Sequence, residues 1–441
     1  MTASRRTLLL AARARRHARG VGLVETMVGI LIGMIVILVV YNILSVSENY
    51  RRTTVGASDA QINGLLTQLV AGRDAGNGGA GFTVSGDDLD NCKFNEAGQD
   101  IRNPAVTPWD ALDAAVRPIP LLIKEGGNAW TSDSFISMFG GGSHVMWPVD
   151  LTVPFPAIAG ALITVQSPNG FTVPTPTITT PYWGVIMSNE SAGPNVGRCK
   201  MIKVVAATVA DAAGKVGLTQ DASTATSNAY TANGPARFLN LGPAGQATRI
   251  LYEVDYKAPT YRGVLQTTDL LTTNALVTNP VTQNIVLMKV QYGVDTNADG
   301  FVDCWTAANN SNTCGDGKDY SVDGAAGVRH MPLADLNRIL AVRIGVVVRS
   351  DEPDLRLLTN PGDQTLKDEA KGILQATRPQ PYLFNCSADT NAACQSRVKV
   401  PMGNGGGAAN CGNNVICDYW RYRTYETVVP LRNAIFSATL P

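Results

Sequence analysis

The chain has 441 residues with 36 basic and 36 acidic side chains, so its formal charge is zero, and 45% of its residues are hydrophobic. Without the six arginines among residues 1–20 the balance is 30 basic to 36 acidic side chains, which argues against a general nucleic-acid-binding surface and leaves a local basic patch open. The sequence contains no G-x-S-x-G, P-loop or H-E-x-x-H motif. We therefore expect no enzyme.

Near the N-terminus, a basic flank precedes an apolar run. Residues 1–20 hold six arginines and no acid, and residues 21–44 would span about 36 Å as a helix, enough to cross a bilayer. The positive-inside rule predicts a cytoplasmic N-terminus, with everything after Leu44 across the membrane. Glu25 interrupts the run, and because an ionised side chain in a spanning helix costs about 2.5–3.5 kcal/mol, it is a functional candidate.

The order of basic leader, Gly20, Val21 and Glu25 resembles the cleavage signal of type IV prepilins. The resemblance implies that residues 1–20 are a leader removed by prepilin peptidase between Gly20 and Val21, with methylation of the new amine. Val21 stands where Phe is usual and Gly22 where Thr or Ser is common, which affects methylation more than cleavage. In the family, the acid matching Glu25 pairs with the terminal amine of a neighbouring subunit. The alternative is an acid satisfied by headgroups or water.

The helical pattern continues beyond the membrane. Val55, Ile62, Leu66 and Leu69 share one stripe, and a glycine cluster at 76–81 is expected to end the helix. The sequence predicts one helix over about 22–73. Residues 21–44 form its membrane or filament-core half, and residues 45–75 an amphipathic spine for a head over 76–441. The alternative to a spine is a flexible stalk.

Eight cysteines in an exported head are typical of disulfides rather than a metal site. They allow 105 pairings, and sequence proximity favours Cys304–Cys314, Cys386–Cys394 and Cys411–Cys417. That choice leaves Cys92 and Cys199 as a long-range bridge. Interleaved pairing among the last four cysteines is the alternative.

The head is predicted to be β-rich. Alternating patterns indicate strands at 249–257, with a hairpin return at 261–265, and at 286–292, 342–348 and 419–431, with Pro430 at a strand end or on an edge. The runs at 284–303, 341–350 and 422–433, the last ending in Leu-Arg-Asn, resemble PilW-type minor pilins. The resemblance implies a type IV pilin-like α+β fold, with a long N-terminal spine helix packed on a disulfide-bonded antiparallel head. Residues 85–200 and 355–418 exceed the family's usual length and are expected to be insertions of loops and short strands.

One segment resembles a calcium loop. Asp295, Asn297, Asp299 and Asp303 lie at loop positions 1, 3, 5 and 9, with the Phe301 carbonyl at position 7. Position 12 is Thr306 where a bidentate Glu is expected, and no helices are predicted on either side. The alternative is a polar turn between strands, held by side-chain to backbone bonds.

These patterns together predict a minor pilin that is placed in the bacterial inner membrane and joins other minor pilins to initiate a type IV pilus, at the filament tip. Its head would then lie in the periplasm or outside the cell. The expected partners are prepilin peptidase, other minor pilins, the major pilin and, as a further candidate, a tip adhesin. Alternatives are a tip adhesin or DNA-uptake receptor that acts through the insertions, and a minor pseudopilin of a type II secretion system.

Overall fold

The computed structural model describes one long helix and a β-rich body. The chain divides into two compact units, Met1–Thr54 and Val55–Pro441. The described residues are 22–81, 120–126, 131–141, 148–155, 160–167, 180–188, 199–208, 210–222, 236–257, 262–271, 277–308, 314–316, 318, 320, 338–351, 382–384, 398–399 and 420–431.

The elements follow in chain order. Helix α1 runs Leu23–Asn77. The strands are β1 (Leu121–Lys124), β2 (Ser134–Phe139), β3 (Val149–Asp150), β4 (Leu162–Val165), β5 (Tyr182–Ser188), β6 (Cys199–Ala207), β7 (Val216–Gln220), β8 (Ala236–Pro243), β9 (Thr248–Lys257), β10 (Arg262–Asp269), β11 (Thr278–Gln283), β12 (Ile285–Val294), β13 (Cys304–Thr306), β14 (Ile339–Arg349), β15 (Tyr382–Leu383), β16 (Val398–Lys399) and β17 (Tyr422–Pro430).

Helix α1 confirms the predicted single helix, with one correction at its end. It continues to Asn77 rather than to about residue 73, and the turn that follows has Gly79 and Gly81 at positive φ. Gly76 lies inside the helix, where its missing Cβ lets the backbone lie close to Val429. The helix therefore ends where left-handed backbone is needed, not at the first glycine.

The strands form three larger antiparallel sheets and one small one. A five-stranded sheet has the order β1-β2-β9-β10-β11, a four-stranded sheet β13-β12-β14-β17, a six-stranded sheet β3-β8-β5-β6-β7-β4, and a small sheet β15-β16. The predicted hairpin is confirmed as β9 and β10, and β12, β14 and β17 lie where alternation placed them. Pro430 ends β17, which is an edge strand, as expected.

One face of the four-stranded sheet packs on the five-stranded sheet. Val342, Ile344, Val346 and Val348 of β14 contribute to this core, together with Met288 and Tyr292 of β12 and Tyr252 of β9. Gly263 of β10 permits the close approach of the two sheets, because a Cβ there would lie 1.7 Å from the carbonyl oxygen of Ile285. The fold is thus α+β, with an N-terminal apolar helix and a mostly antiparallel body.

The opposite face of the four-stranded sheet is also covered, so its strands are more buried than simple alternation predicts. Every residue of β12 is buried. On the outer face, the Arg343 guanidinium lies 4.9 Å from the ring centre of Trp305 and 4.3 Å from that of Phe384. Burial lowers the pKa of Arg343 to about 10. Arg349 is stacked similarly, 4.7 Å from the ring centre of Trp420. Aromatic rings thus cover both arginines on this face.

A buried ion pair joins the two packed sheets. Lys289 of β12 donates to Asp133, just before β2, over 2.8 Å, and both side chains are about 95% buried. The Asp133 carboxylate also accepts the backbone N–H groups of Gly126 and Val290 at 3.0 and 2.9 Å. Burial raises the pKa of Asp133, while Lys289 and these donors oppose that rise. The pair is well satisfied and fixes β12 against the start of β2.

The six-stranded sheet closes on itself. Leu151, just after β3, bridges Val165 of β4, and the Thr152 N–H donates to the Thr164 carbonyl at 2.8 Å. The closed sheet encloses its own core, which includes Phe155, Ile186 and Phe238. The described residues of this closed sheet lie between 148 and 243. The predicted insertion over 85–200 stays a prediction: its described residues include β1 and β2 of the five-stranded sheet as well as strands of the closed sheet. The predicted insertion at 355–418 lies almost entirely outside the described residues.

The ion pair gives a stability prediction. Replacing Lys289 by Ala leaves the Asp133 carboxylate buried without its cation, so we expect a loss of about 3–5 kcal/mol in the free energy of unfolding. Urea denaturation of the full chain in detergent micelles, followed by tryptophan fluorescence, measures this.

Lys203→Ala is the matched control, because Lys203 pairs with Asp221 at 3.6 Å at a more exposed position. We expect a loss below about 1 kcal/mol for that variant. Equal losses in the two variants would contradict the structural role of the buried pair.

Candidate functional site

The first candidate region is the apolar start of α1. The segment Leu23–Glu48 is long and apolar enough to cross a membrane, and its most apolar window has no buried residue. Glu25 lies exposed in the first turn, where the helix dipole favours a negative charge. The Thr26 N–H donates to the Gly22 carbonyl at 3.1 Å, so the first turn of helical hydrogen bonding includes Glu25. Gly20 and Val21, the predicted cleavage junction, lie outside the described residues.

The second half of α1 docks on the head through small side chains. Its buried positions, here called the docked face, are Gly56, Ala60, Gly64, Thr67, Ala71, Asp74 and Ala75. A Cβ at Gly64 would lie 2.3 Å from the Tyr425 ring of β17, so only glycine permits this approach. Gly72 and Gly76 likewise lie against Val429. These contacts hold the helix along β17.

Polar bonds fix the docked face in register. The hydroxyls of Thr67 and Thr282 lie 2.8 Å apart, and the Tyr252 hydroxyl donates to the Asp74 carboxylate at 2.6 Å. Burial and this bond to Asp74 raise the pKa of Tyr252. Arg73, from the more exposed side of the helix, donates to the same carboxylate at 2.8 Å.

The helix docks on the head, but the predicted aliphatic stripe does not take part in that contact. Val55, Ile62 and Leu69 are 51–69% exposed. With Leu65 and Leu66 they form what we call the outer stripe, which lies on the side of the helix opposite the docked face. Sequence reasoning missed the docked face because small residues give a weak hydrophobic signal. Their spacing of four, four, three and four from position 56 to 71 is the signal that could have identified it.

The acidic loop is a β-hairpin turn between β12 and β13. The carboxylates of Asp295, Asp299 and Asp303 each have an oxygen within 4.8 Å of the others. Asp295 accepts the N–H groups of Ala298 and Gly300 at 2.6 and 2.7 Å, and Asp299 accepts that of Phe301 at 2.9 Å. These side-chain to backbone bonds form a polar turn, and they are compatible with cation binding as well, so the calcium loop stays a prediction.

Two further contacts define what the loop offers a cation. Asp303 accepts both the N–H and the hydroxyl of Thr296, and these bonds lower its pKa, so it is readily ionised. Thr306 at position 12 is buried and paired with Tyr292 in the β-ladder, so it is not placed as a ligand. The oxygen cluster fits a hard cation in its first nine positions and lacks the bidentate closing ligand.

The predicted disulfide Cys304–Cys314 is present, with a Cα–Cα distance of 5.6 Å, and it anchors the strand after the acidic loop. Cys92, Cys386, Cys394, Cys411 and Cys417 lie outside the described residues. Cys199 begins β6, and its side chain is likewise outside the description. Trp183 is 3% exposed and packs with Met138 and Leu271 between the six-stranded and five-stranded sheets.

Calcium binding by the loop is testable. If the cation binds, 1 mM calcium raises the melting temperature of the wild-type chain, and Asp299→Ala and Asp303→Asn abolish that rise because each removes a ligand charge. Asp303→Asn retains an oxygen that can accept from Thr296, so it separates ligand loss from turn loss. A calcium-independent melting temperature in wild type and both variants would leave the loop as a turn.

One of three comparisons with known proteins found a match. Residues 251–433 match the family model PilW, described as type IV pilus-assembly protein W. The match begins in β9 and includes β10–β17, thus the four-stranded sheet, the acidic loop and the edge strand that contacts α1. Searches of curated proteins and of solved structures found no match. The similarity to the PilW family is therefore established for residues 251–433, which is less than half of the chain.

Proposed function

We propose that this chain is a minor pilin, which is processed by prepilin peptidase and joins other minor pilins to initiate a type IV pilus at its tip. The observation that carries the proposal is helix α1. It combines a membrane-length apolar segment with a second half that docks on the head by small residues and leaves its large aliphatics exposed. The PilW match supports the assignment to pilus assembly.

The proposed anchor uses the first half of the helix. Leu23–Glu48 holds the chain in the inner membrane before assembly, and the arginines of residues 1–20 favour a cytoplasmic N-terminus. Cleavage after Gly20 creates an α-amine at Val21 that is largely cationic at neutral pH. Glu25 then offers the opposite charge to the amine of a neighbouring subunit, and the pair forms only on correct docking.

The outer stripe supplies the proposed subunit interface. A contiguous exposed aliphatic strip along one helix is unusual for a monomer and is typical of a protein-contact surface. Ile62, Leu65 and Leu69 lie at helical spacing, so an apolar helix of another pilus subunit can pack along them. We expect this contact to determine assembly rather than folding, because the docked face is already satisfied by the head.

A second candidate function is surface or DNA binding at the tip. The observation that favours it is the closed six-stranded sheet with its own core, which supports a separate inserted body rather than a long loop. A minor pseudopilin of a secretion system is a third reading, and large heads of this kind are unusual there. Deleting 148–243 discriminates an adhesin from an assembly factor, since an adhesin role predicts normal pili with lost attachment.

Processing and the role of Glu25 are tested together. We expect intact-mass analysis of the membrane-extracted protein to place its N-terminus at Val21. Glu25→Gln should leave cleavage unchanged but lower the amount of this chain in sheared pili at least tenfold, because a neutral amide cannot pair with the amine. An intact Met1, or cleavage beyond Ser45, would overturn the assignment.

The outer stripe gives an independent prediction. Ile62→Ser with Leu69→Ser should lower pilus number at least tenfold while the melting temperature stays within about 2 °C, because both side chains are exposed and surface changes barely affect folding. Pili are counted by electron microscopy.

Gln61→Ser with Gln68→Ser is the matched control, because it changes the same helix turns without touching the outer stripe. Normal piliation in both double variants would rule the stripe out as the assembly surface.

A further inference from the structure

We propose that the outer edge of β17 accepts an extended strand from another pilus subunit, by continuation of the four-stranded sheet. This inference rests on the proposed function and adds a second mode of contact to the helix stripe. It starts from the hydrogen-bonding pattern of β17, which lies at the end of the sheet order β13-β12-β14-β17.

The direction of the backbone groups follows from the ladder. The Leu431 N–H donates to the Leu340 carbonyl, and the Ser350 N–H donates to the Arg421 carbonyl. Odd-numbered residues of β17 therefore bond to β14, and even-numbered residues direct N–H and C=O groups away from it. Within the described part of the chain, no hydrogen bond reaches the outward N–H groups of Thr424, Glu426 and Val428.

This edge differs from the other edges of the large sheets, each of which is short, closed or interrupted. Edge strand β1 has four residues, and the Tyr292 hydroxyl already bonds two of its backbone groups, the Ile123 N–H and the Leu121 carbonyl. Edge strand β11 contains Pro280 and pairs across a register shift. β13 has three residues, and β3 and β4 are joined through Leu151. These are the usual means by which proteins prevent strand addition.

Among the described residues, β17 has none of these features along its length. It is nine residues long, its pairing with β14 runs without a register shift from Tyr422 to Pro430, and its proline stands at the last position. Val428 is 59% exposed beside this edge. A long, regular and partly apolar edge is suited to a partner strand, where backbone bonds provide affinity and alternate side chains provide specificity.

The occupant we favour is a strand of a different subunit rather than a second copy. An antiparallel two-fold pairing that uses all three outward residues is centred on Glu426 and sets Glu426 against itself, and like charges directly opposite are destabilising. A different chain can place a basic residue opposite Glu426 and an apolar residue beside Val428. The docked face holds α1 against the side chains of Tyr425 and Val429, two odd-numbered residues of the same strand.

The test measures single-amide hydrogen exchange in the full chain in detergent micelles, alone and with each purified minor pilin or the major pilin. In the free chain we expect fast exchange at Thr424, Glu426 and Val428 and slow exchange at the odd-numbered neighbours. One subunit should slow the three outward amides at least tenfold. Val428→Pro should weaken that complex at least tenfold, because it removes an outward donor and no bond to β14.

Val428→Thr is the matched control, since it keeps the N–H, and it should change affinity less than threefold. Slow outward amides in the free chain would overturn the proposal. If truncation after Asn433 makes these amides exchange fast, the chain's own C-terminus covers the edge. If dilution makes them exchange fast, a second copy of the chain covers it. Fast amides that no subunit slows would also overturn it. If cells with a folded Val428→Pro variant make normal pili and cells without the chain make none, strand docking is wrong and the minor-pilin function stands.

Discussion

The body depends on how β12 is held where it has no neighbouring strand on one side. β13 covers only Tyr292–Val294, so the backbone of the preceding residues needs other partners. The 132–133 segment supplies them: the Met288 N–H donates to the Ser132 hydroxyl, and the Asp133 carboxylate accepts from Val290 and Lys289. Tyr256 adds a bond to the Val286 carbonyl. Because buried backbone groups must be paired, this arrangement fixes the register between the two sheets.

Sequence alone predicted some of the strands and could not predict this junction. Alternation identified β9, β12, β14 and β17, because apolar residues recur at every second position over most of each strand. Lys289 follows the same alternation on the side that sequence assigns to solvent. Its burial depends on Asp133, which lies 156 positions upstream in a segment with no periodic pattern. A long-range polar pair of this kind is specified by tertiary geometry, and local pattern carries no signal for it.

The helix shows the same limit in another form. Hydrophobic periodicity correctly identified the side of the helix that carries the large aliphatic residues. It does not say whether that side faces the head. Gly64 and Ala71 face the head because the close helix–strand approach excludes large side chains: a Cβ at Gly64 would overlap the Tyr425 ring. The large residues of the helix stay exposed. For the acidic loop, the sequence shows the residue spacing, and its context, a hairpin between β12 and β13, determines which positions can reach a ligand.

Helix α1 and the edge strand β17 are packed together in the head. The helix lies along this strand through Gly64, Gly72 and Gly76, so anything that shifts β17 also shifts the outer stripe. A partner strand added to β17 would extend the ladder shared with β14, and β14 contributes Val342 and Val346 to the main core. Binding at the edge would therefore be supported by a rigid sheet, and it would leave the large aliphatics of the helix accessible. A subunit that contacts both the outer stripe and the edge of β17 is more restricted in orientation than one that makes either contact alone. The second contact forms at high effective concentration once the first is made.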